Sequence, residues 1–232
     1  KSLLATPYDN EGWLICAAKF EETIYLCAFD TPEKVLQRLN ETEYGKQCSS
    51  WGHKFEQYLF AGVFRENLIP NPEMDGVDSK ELFKDSLVGK KVEFVEVKTI
   101  PNERLNKNGK LLREQRNGTR ILKWWSQSYL VGIESIILGC KNRTGLVRKI
   151  VKYRLKELEE LSENNWKRER CIGFCNAFFD HLRQIVCEDY NKCLYQFNFL
   201  PSDRKIQVKA LNPTCFHDYV FLENQFIAKN LL

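Results

Sequence analysis

Hydrophobic positions along the chain change period several times, and each change predicts an element. Residues 12–18 and 23–29 (Trp-Leu-Ile-Cys-Ala-Ala-Lys and Thr-Ile-Tyr-Leu-Cys-Ala-Phe) are β-rich runs around a short polar Phe-Glu-Glu segment, which predicts a hairpin. Asp30-Thr31-Pro32-Glu33 then supplies a cap, a proline suited to a first turn and a carboxylate for the helix dipole, so a helix starts there. In residues 48–60, Trp51, Phe55, Tyr58 and Leu59 recur at helical spacing and leave Glu56 at the boundary of the apolar stripe. Residues 91–99 read as a strand, and residues 100–118 as a polar, mobile loop rich in Asn and Gly that carries Arg104, Lys107, Lys110, Arg113 and Arg116.

Arg120 to Val131 returns to helical spacing, with Arg120, Lys123, Gln127 and Val131 along one face and Leu122, Trp125 and Tyr129 along another. Ser135–Cys140 and Leu146–Val151 flank Lys-Asn-Arg-Thr-Gly as a second hairpin. Helices follow over Tyr153–Ser162 and Trp166–Val186, then strands near 193–199 and 204–210 around a Pro201-Ser-Asp turn. Strands outnumber helices and come mainly as hairpins. The expected class is therefore α/β (α+β), with mixed or antiparallel sheet and helices packed against it.

Composition narrows this. No long polar linker divides the 232 residues, so one compact domain over 1–232 is expected. Lys and Arg outnumber Asp and Glu by 35 to 31, a mild attraction to polyanions that does not by itself establish a nucleic-acid partner. Nine irregularly spaced cysteines with no C-x-x-C pair read as reduced core thiols, and with three histidines zinc is not expected. A metal here should be hard and oxygen-bound. No apolar stretch has the length of a membrane span, so no membrane partner is expected. The three N-x-Ser/Thr sequons are read as chance.

Candidate chemistry sits on the 91–99 strand. Alternation puts Val92, Phe94, Glu96 and Lys98 on one face and Glu93, Val95 and Val97 on the other, so the first face turns from apolar to charged along its length. A carboxylate and an ammonium at that transition suit a cleft where the acid holds a divalent cation and the lysine steadies a phosphate or the attacking water. Glu73 and Asp75 form a second i, i+2 acidic pair. With Glu96 they make a three-carboxylate cluster of the kind that binds Mg²⁺ or Mn²⁺, and Glu56 completes the shell directly or through water. Taken singly, each is also an ordinary solvated charge: a helix-surface acid for Glu56, a polar helix position for Gln127, a rim charge for Lys98.

Longer strings supply context. Gly52-His53-Lys54-Phe55-Glu56, Glu73-Met74-Asp75, Glu96-Val97-Lys98 and the run from Lys123-Trp124-Trp125 through Gln127-Ser128 to Gly132 occur in one order. That order resembles the DXO family of RNA decapping exoribonucleases, whose motifs read G-x-x-x-E, E-x-D, E-x-K and K-W-W-x-Q-S-x-L-x-G. The resemblance runs from Leu3–Tyr8 and Gly12-Trp13 to Tyr219–Leu222, nearly the whole chain. It implies a single domain of two sheets flanked by helices with a core like that of PD-(D/E)xK nucleases. It also implies removal of non-standard or incompletely methylated caps, NAD caps included, or of pyrophosphate from single-stranded RNA 5′ ends, with 5′–3′ exonuclease activity in some members.

Carried over by residue, the resemblance makes Glu56, Glu73, Asp75 and Glu96 metal ligands with the Val97 carbonyl, for two Mg²⁺ or Mn²⁺ ions. Lys98 and Gln127 become contacts to the scissile phosphate and the nucleophilic water. Gln127 suits that task as a neutral donor and acceptor. Arg120, Lys123 and the 100–118 loop are candidate RNA-backbone surfaces. The alternative is a binding protein that stabilises a nuclear 5′–3′ exoribonuclease. A third reading, a DNA nuclease with the same metal core, does not explain the Trp124–Gln127 helix. RNA quality control of this kind places the protein in nucleus, cytoplasm or both.

Two departures from the family pattern stand out. The first motif arginine lies a few residues ahead of the string that Leu3–Tyr8 resembles and would fall upstream of Lys1, and the chain starts with Lys rather than Met, so the N-terminal part of the family domain is expected to be missing. Only sixteen residues separate Glu56 from Glu73, where the family has a longer insert, and Pro72 argues against Glu73 lying deep in a strand.

Overall fold

The computed structural model describes residues 2–59, 75–78, 88–107, 110–111, 119–212 and 217–222. In chain order the helices and strands are α1 (Ser2–Ala5), β1 (Trp13–Phe20), β2 (Thr23–Phe29), α2 (Pro32–Leu39), α3 (Glu43–Leu59), β3 (Gly76–Asp78), β4 (Glu93–Pro101), α4 (Thr119–Leu130), β5 (Ser135–Lys141), β6 (Val147–Arg154), α5 (Leu155–Ser162), α6 (Arg168–Ile185), β7 (Leu194–Leu200) and β8 (Lys205–Leu211). They form two compact units: Glu41–Arg170, and Ser2–Asn40 together with Cys171–Leu232. Each unit is built on one four-stranded sheet flanked by helices, which is the α/β class read from the pattern.

The unit of Ser2–Asn40 and Cys171–Leu232 has a fully antiparallel sheet ordered β2-β1-β7-β8. The β1–β2 turn is Glu21-Glu22 with φ of 46° and 61°, the two-residue left-handed turn that matches strand twist. Neither position is glycine. Trp13 organises the core: its ring stacks on Phe199 and meets Phe178 edge-on, both at 5.7 Å between centroids, while its Nε1 donates to Thr6 Oγ1. Arg204, in a left-handed turn, ties down the N-terminal segment by donating to the carbonyls of Thr6 and Asp9 and to Asn10 Oδ1. α2 begins as its sequence demands, with Thr31 Oγ1 accepting from Lys34 N–H and Pro32 in the first turn.

The other unit holds a mixed sheet ordered β3-β4-β5-β6, in which only β4 and β5 run parallel. A parallel pair needs a crossover, and α4 lies within it. α4 buries Ile121, Leu122, Trp124, Trp125, Ser126 and Ser128. Trp125 stacks on Tyr129, packs against Trp166 and donates from Nε1 to Glu159, which locks α4 to α5. α3 lies on the sheet face reached by Thr99 and Gly139, since a Cβ at Gly139 would sit 2.5 Å from the Phe55 ring. Strand alternation puts that face opposite Glu96. Helices thus cover both faces, and Val95, Glu96 and Val97 are all buried.

Three expectations need amendment. α3 starts at Glu43, before the apolar stripe, in a turn where Thr42 Oγ1 accepts from Gly45 N–H. The 100–118 segment is not simply a mobile loop: it opens with a 3-10 turn at Asn102–Arg104, pairs Leu105 with Leu111 and buries Leu111. Polarity disguised this, because a single leucine anchors an otherwise charged stretch. The thiols are free among the described residues but not all in the core: burial pushes Cys16 up to about 12, whereas Cys187, beyond the end of α6, is exposed.

Candidate active site

Glu96 is the centre. Its side chain is 1% exposed on β4, and its Oε1 accepts two hydrogen bonds, from Lys98 Nζ on the same strand face and from Gln127 Nε2 on α4 at 2.6 Å. The i, i+2 spacing brings Lys98 alongside, and α4 brings Gln127 down onto that face. Burial pushes the Glu96 carboxyl above the ordinary glutamate range; Lys98 pulls it down, and the negative charges of Asp75 and Glu56 push it up again.

β3 pairs with β4 through Gly76 and Val95. Asp75, immediately before β3, turns its side chain to the same strand: its Oδ2 accepts from Val97 N–H at 2.6 Å. The N–H and C=O of one strand residue point to the same side, so the Val97 carbonyl is also directed to the Asp75 side of β4. Glu56 belongs to α3 on the opposite face of the sheet, next to Phe55, which seats that helix against Gly139. Half-buried, it reaches the same region: burial and Asp75 raise its carboxyl, while His53 and Lys98 lower it. His53 Nδ1 stands 3.6 Å from Glu56 Oε2. Glu96 from β4, Asp75 from the residue before β3 and Glu56 from α3 therefore act on one another at β4.

Most of the sequence candidates are brought together here: Glu96, Lys98, Gln127, Asp75, Val97 and Glu56. Glu73 lies outside the described residues. Arg120 is exposed near the start of α4, and Lys123, one turn before Gln127, is half-buried. Ser126 Oγ donates back to the Lys123 carbonyl. Sequence reading missed His53 as the partner of Glu56, although the i, i+3 spacing on a helix is the signal for it.

The donor set suits a hard divalent cation: carboxylates, a strand carbonyl, and two acids whose ionisation is opposed by burial and by neighbouring carboxylates, Asp75 in both cases, which a cation would relieve. Among the described residues, no three His, Cys, Asp or Glu side chains already stand as a closed ligand set.

The sequence pattern described as RAI1 like PD-(D/E)XK nuclease matches residues 1–68 and 60–227. The chain belongs to this family. The two matched segments overlap at 60–68, between Glu56 and Glu73, where the sequence is shorter than the motif pattern leads one to expect. Among curated relatives of the RAI1-like family, the Drosophila melanogaster decapping and exoribonuclease protein Rai1 is 29% identical over 214 residues, covering 80% of this chain and 55% of the relative. The chain spans about half the length of the curated relatives it matches.

Solved RAI1-like structures share the fold. Scheffersomyces stipitis Rai1 in complex with (3'-NADP)+ and calcium ion superposes with a TM-score of 0.71 at 18% identity, covering 97% of this chain and 69% of that one. Candida albicans Rai1 in complex with pU5-Mn2+ does so with a TM-score of 0.71 at 16% identity and the same coverages.

Proposed function

We propose that this chain is a divalent-metal-dependent hydrolase of RNA 5′ ends, removing non-standard or incompletely methylated caps, NAD caps or pyrophosphate, with 5′–3′ exoribonuclease activity on the exposed end. The observation that carries the reading is the buried Glu96 carboxylate, held by Lys98 and Gln127 on one oxygen, beside Asp75, whose Oδ2 accepts from Val97 N–H of the same strand. Relatives named as decapping and exoribonuclease proteins support it, as do neighbours bound to an oligonucleotide with Mn²⁺ and to a dinucleotide with calcium.

Glu56, Asp75, Glu96 and the Val97 carbonyl would hold Mg²⁺ or Mn²⁺, two ions on the family pattern, with Glu73 as a further ligand. Bound there, the ions would supply an acidified water and offset charge gathering on the phosphoryl oxygens. The chain's own residues do the rest. Lys98 Nζ, released from Glu96, places positive charge against the scissile phosphate. Gln127 orients the water through its amide while the buried Glu96 keeps that amide fixed. Arg120 and Lys123 on α4 lie along the path of the RNA backbone.

A second reading is a partner that stabilises a nuclear 5′–3′ exoribonuclease. One experiment separates the two. RNAs bearing a 5′ triphosphate, an unmethylated cap, a methylated cap or NAD are incubated with Mg²⁺ or Mn²⁺, beside a Glu96→Ala, Asp75→Ala variant. Products from wild type alone support the hydrolase. Equal product from both places the chemistry elsewhere, and none from either supports the partner reading.

A further inference from the structure

β1 and β2 carry one cysteine each, and the ladder sets the two directly opposite: Cys16 pairs with Cys27. Among the described residues no other two cysteines are ladder partners. Phe20 and Thr23 close the two-residue turn as a hydrogen-bonded pair, and strand alternation makes Ala18 with Tyr25 and Cys16 with Cys27 pairs of the same kind. Cα atoms at such a position stand about 5.5 Å apart, inside the range of roughly 4.4–6.8 Å that a disulfide spans. Ladder partners share a sheet face, so both thiols project to the same side.

The two thiols differ in access. Cys16 is buried in a cluster with Ala18, Phe20, Leu194 and Leu222, whereas Cys27 is half-buried on β2, the last strand on its side of the sheet order. Cys27 Sγ donates to the Ala28 carbonyl across 3.9 Å, a long contact that rotation about the Cα–Cβ bond breaks at little cost. Burial, with Cys27 beside it, pushes the Cys16 thiol up to about 12, so an oxidant meets Cys16 as an unreactive thiol. The first attack therefore falls to Cys27.

We propose that Cys16 and Cys27 form a redox modification site, a dithiol that hydrogen peroxide converts to a cross-strand disulfide, with Cys27 meeting the oxidant and Cys16 resolving it. Cys27 gives up its proton and its sulfur attacks one peroxide oxygen; the O–O bond breaks, the other oxygen leaves with that proton as water, and Cys27 becomes a sulfenic acid. The Cys16 sulfur then attacks the Cys27 sulfur. The S–S bond forms, the S–O bond breaks, and the departing hydroxide takes the Cys16 proton as a second water. Two thiols lose two electrons in all, and one peroxide is reduced to two waters. Conversion of Cys27 to the neutral sulfenic acid removes the charge that helps keep Cys16 protonated, and the ladder holds the sulfurs adjacent, so the buried thiol closes the bond within the molecule. A thiol reductant reopens it by exchange. The pair lies in the unit that does not carry Glu96, and the proposal stands apart from the hydrolase reading.

Peptide mapping tests it directly. Trypsin cuts after Lys19 and Lys34, which puts Cys16 and Cys27 in separate peptides, each without another cysteine. Wild type, Cys27→Ser and Cys16→Ala are treated with a small excess of hydrogen peroxide, alkylated, digested without reductant and read by mass spectrometry, with dimedone in a parallel arm to trap sulfenic acid. Wild type is expected to give the two peptides joined, and to lose the joined form on treatment with dithiothreitol. It is also expected to trap roughly 10-fold less dimedone at Cys27 than Cys16→Ala does, because Cys16 consumes the sulfenic acid first. Cys27→Ser is expected to leave Cys16 reduced. Cys16→Val, close in volume and suited to a buried strand, takes the place of Cys16→Ala if the smaller side chain does not fold.

Dimedone captured at Cys27 as fully in wild type as in the Cys16 variant, with no joined peptide, overturns the pair. A bond from Cys27 to any other cysteine overturns it as well. Cys16 oxidised in Cys27→Ser reverses the two roles, and a wild type in which the exposed Cys187 is oxidised while Cys16 and Cys27 both stay reduced removes the site altogether.

Discussion

Gln127 Nε2 donates to Glu96 Oε1 at 2.6 Å, on the same oxygen that Lys98 Nζ reaches. A single carboxylate oxygen thus gathers the strand lysine and the helix amide into one fixed group. Gln127→Ala removes the amide and leaves Lys98 alone on Glu96. The expected outcome is a kcat lower by roughly 10²-fold with little change in KM, the size found on deleting one oriented polar group at a reacting centre. Gln127→Glu is expected to be worse, because it sets a second carboxylate against a buried one. Steady-state kinetics on whichever 5′ end is turned over checks both.

Glu96 is held above the ordinary glutamate range by burial first, with Asp75 and Glu56 adding to it. An acid whose folded pKa is raised favours the fold only while protonated. Metal-free stability should therefore fall as pH rises from the unfolded glutamate value through the folded one, and stay low above it. At neutral pH, Glu96→Gln is expected to raise the metal-free Tm by about 2–4 °C, roughly 1 kcal/mol for a chain of this size, while abolishing activity. Mn²⁺ should raise the Tm of wild type and not of the variant. Thermal melts across pH, with and without the ion, decide it; an equal shift in both proteins places the ion elsewhere.

How much of this was legible in the sequence follows from the range of each interaction. Strand alternation placed Glu96 and Lys98 on one face, and helical spacing placed Gln127, because both periods are local. The capped start of α2 and both early hairpins were legible for the same reason. What was not legible is which acid crosses from which layer. Glu56 sits on the helix behind the sheet and meets Asp75 and Lys98 because Phe55 seats that helix against Gly139, a packing across the chain that no local period announces. Leu111 was hidden too, since one buried leucine in a charged segment has no period to betray it.

The reach of Glu56 depends on Gly139. A Cβ there would meet three atoms of the Phe55 ring between 2.5 and 2.9 Å, so Gly139→Ala must push α3 off the sheet. The residue next to Phe55 is Glu56, which moves with it. We expect a loss of about 1–3 kcal/mol from overpacking and, in the protein that still folds, a weaker affinity for Mn²⁺ with Gln127 and Lys98 untouched. Phe55→Leu combined with Gly139→Ala should restore part of both, which a metal titration beside a denaturant melt would show; restoration of neither breaks the link between Gly139 and Glu56.

The β1–β2 turn offers a test that leaves the chemistry alone. Glu21 and Glu22 hold φ of 46° and 61°, a conformation in which a side chain costs energy and glycine does not. Glu22 also pairs with Lys19 at 3.0 Å, but with its own side chain 91% exposed that ion pair adds little. The backbone term should win. Replacing the pair by Asn-Gly, the sequence this turn prefers, is expected to stabilise the protein by about 1 kcal/mol and raise Tm by about 2–4 °C, with kcat and KM as in wild type. A lower Tm would mean that the Lys19–Glu22 pair outweighs the left-handed strain, reversing the order of the two effects.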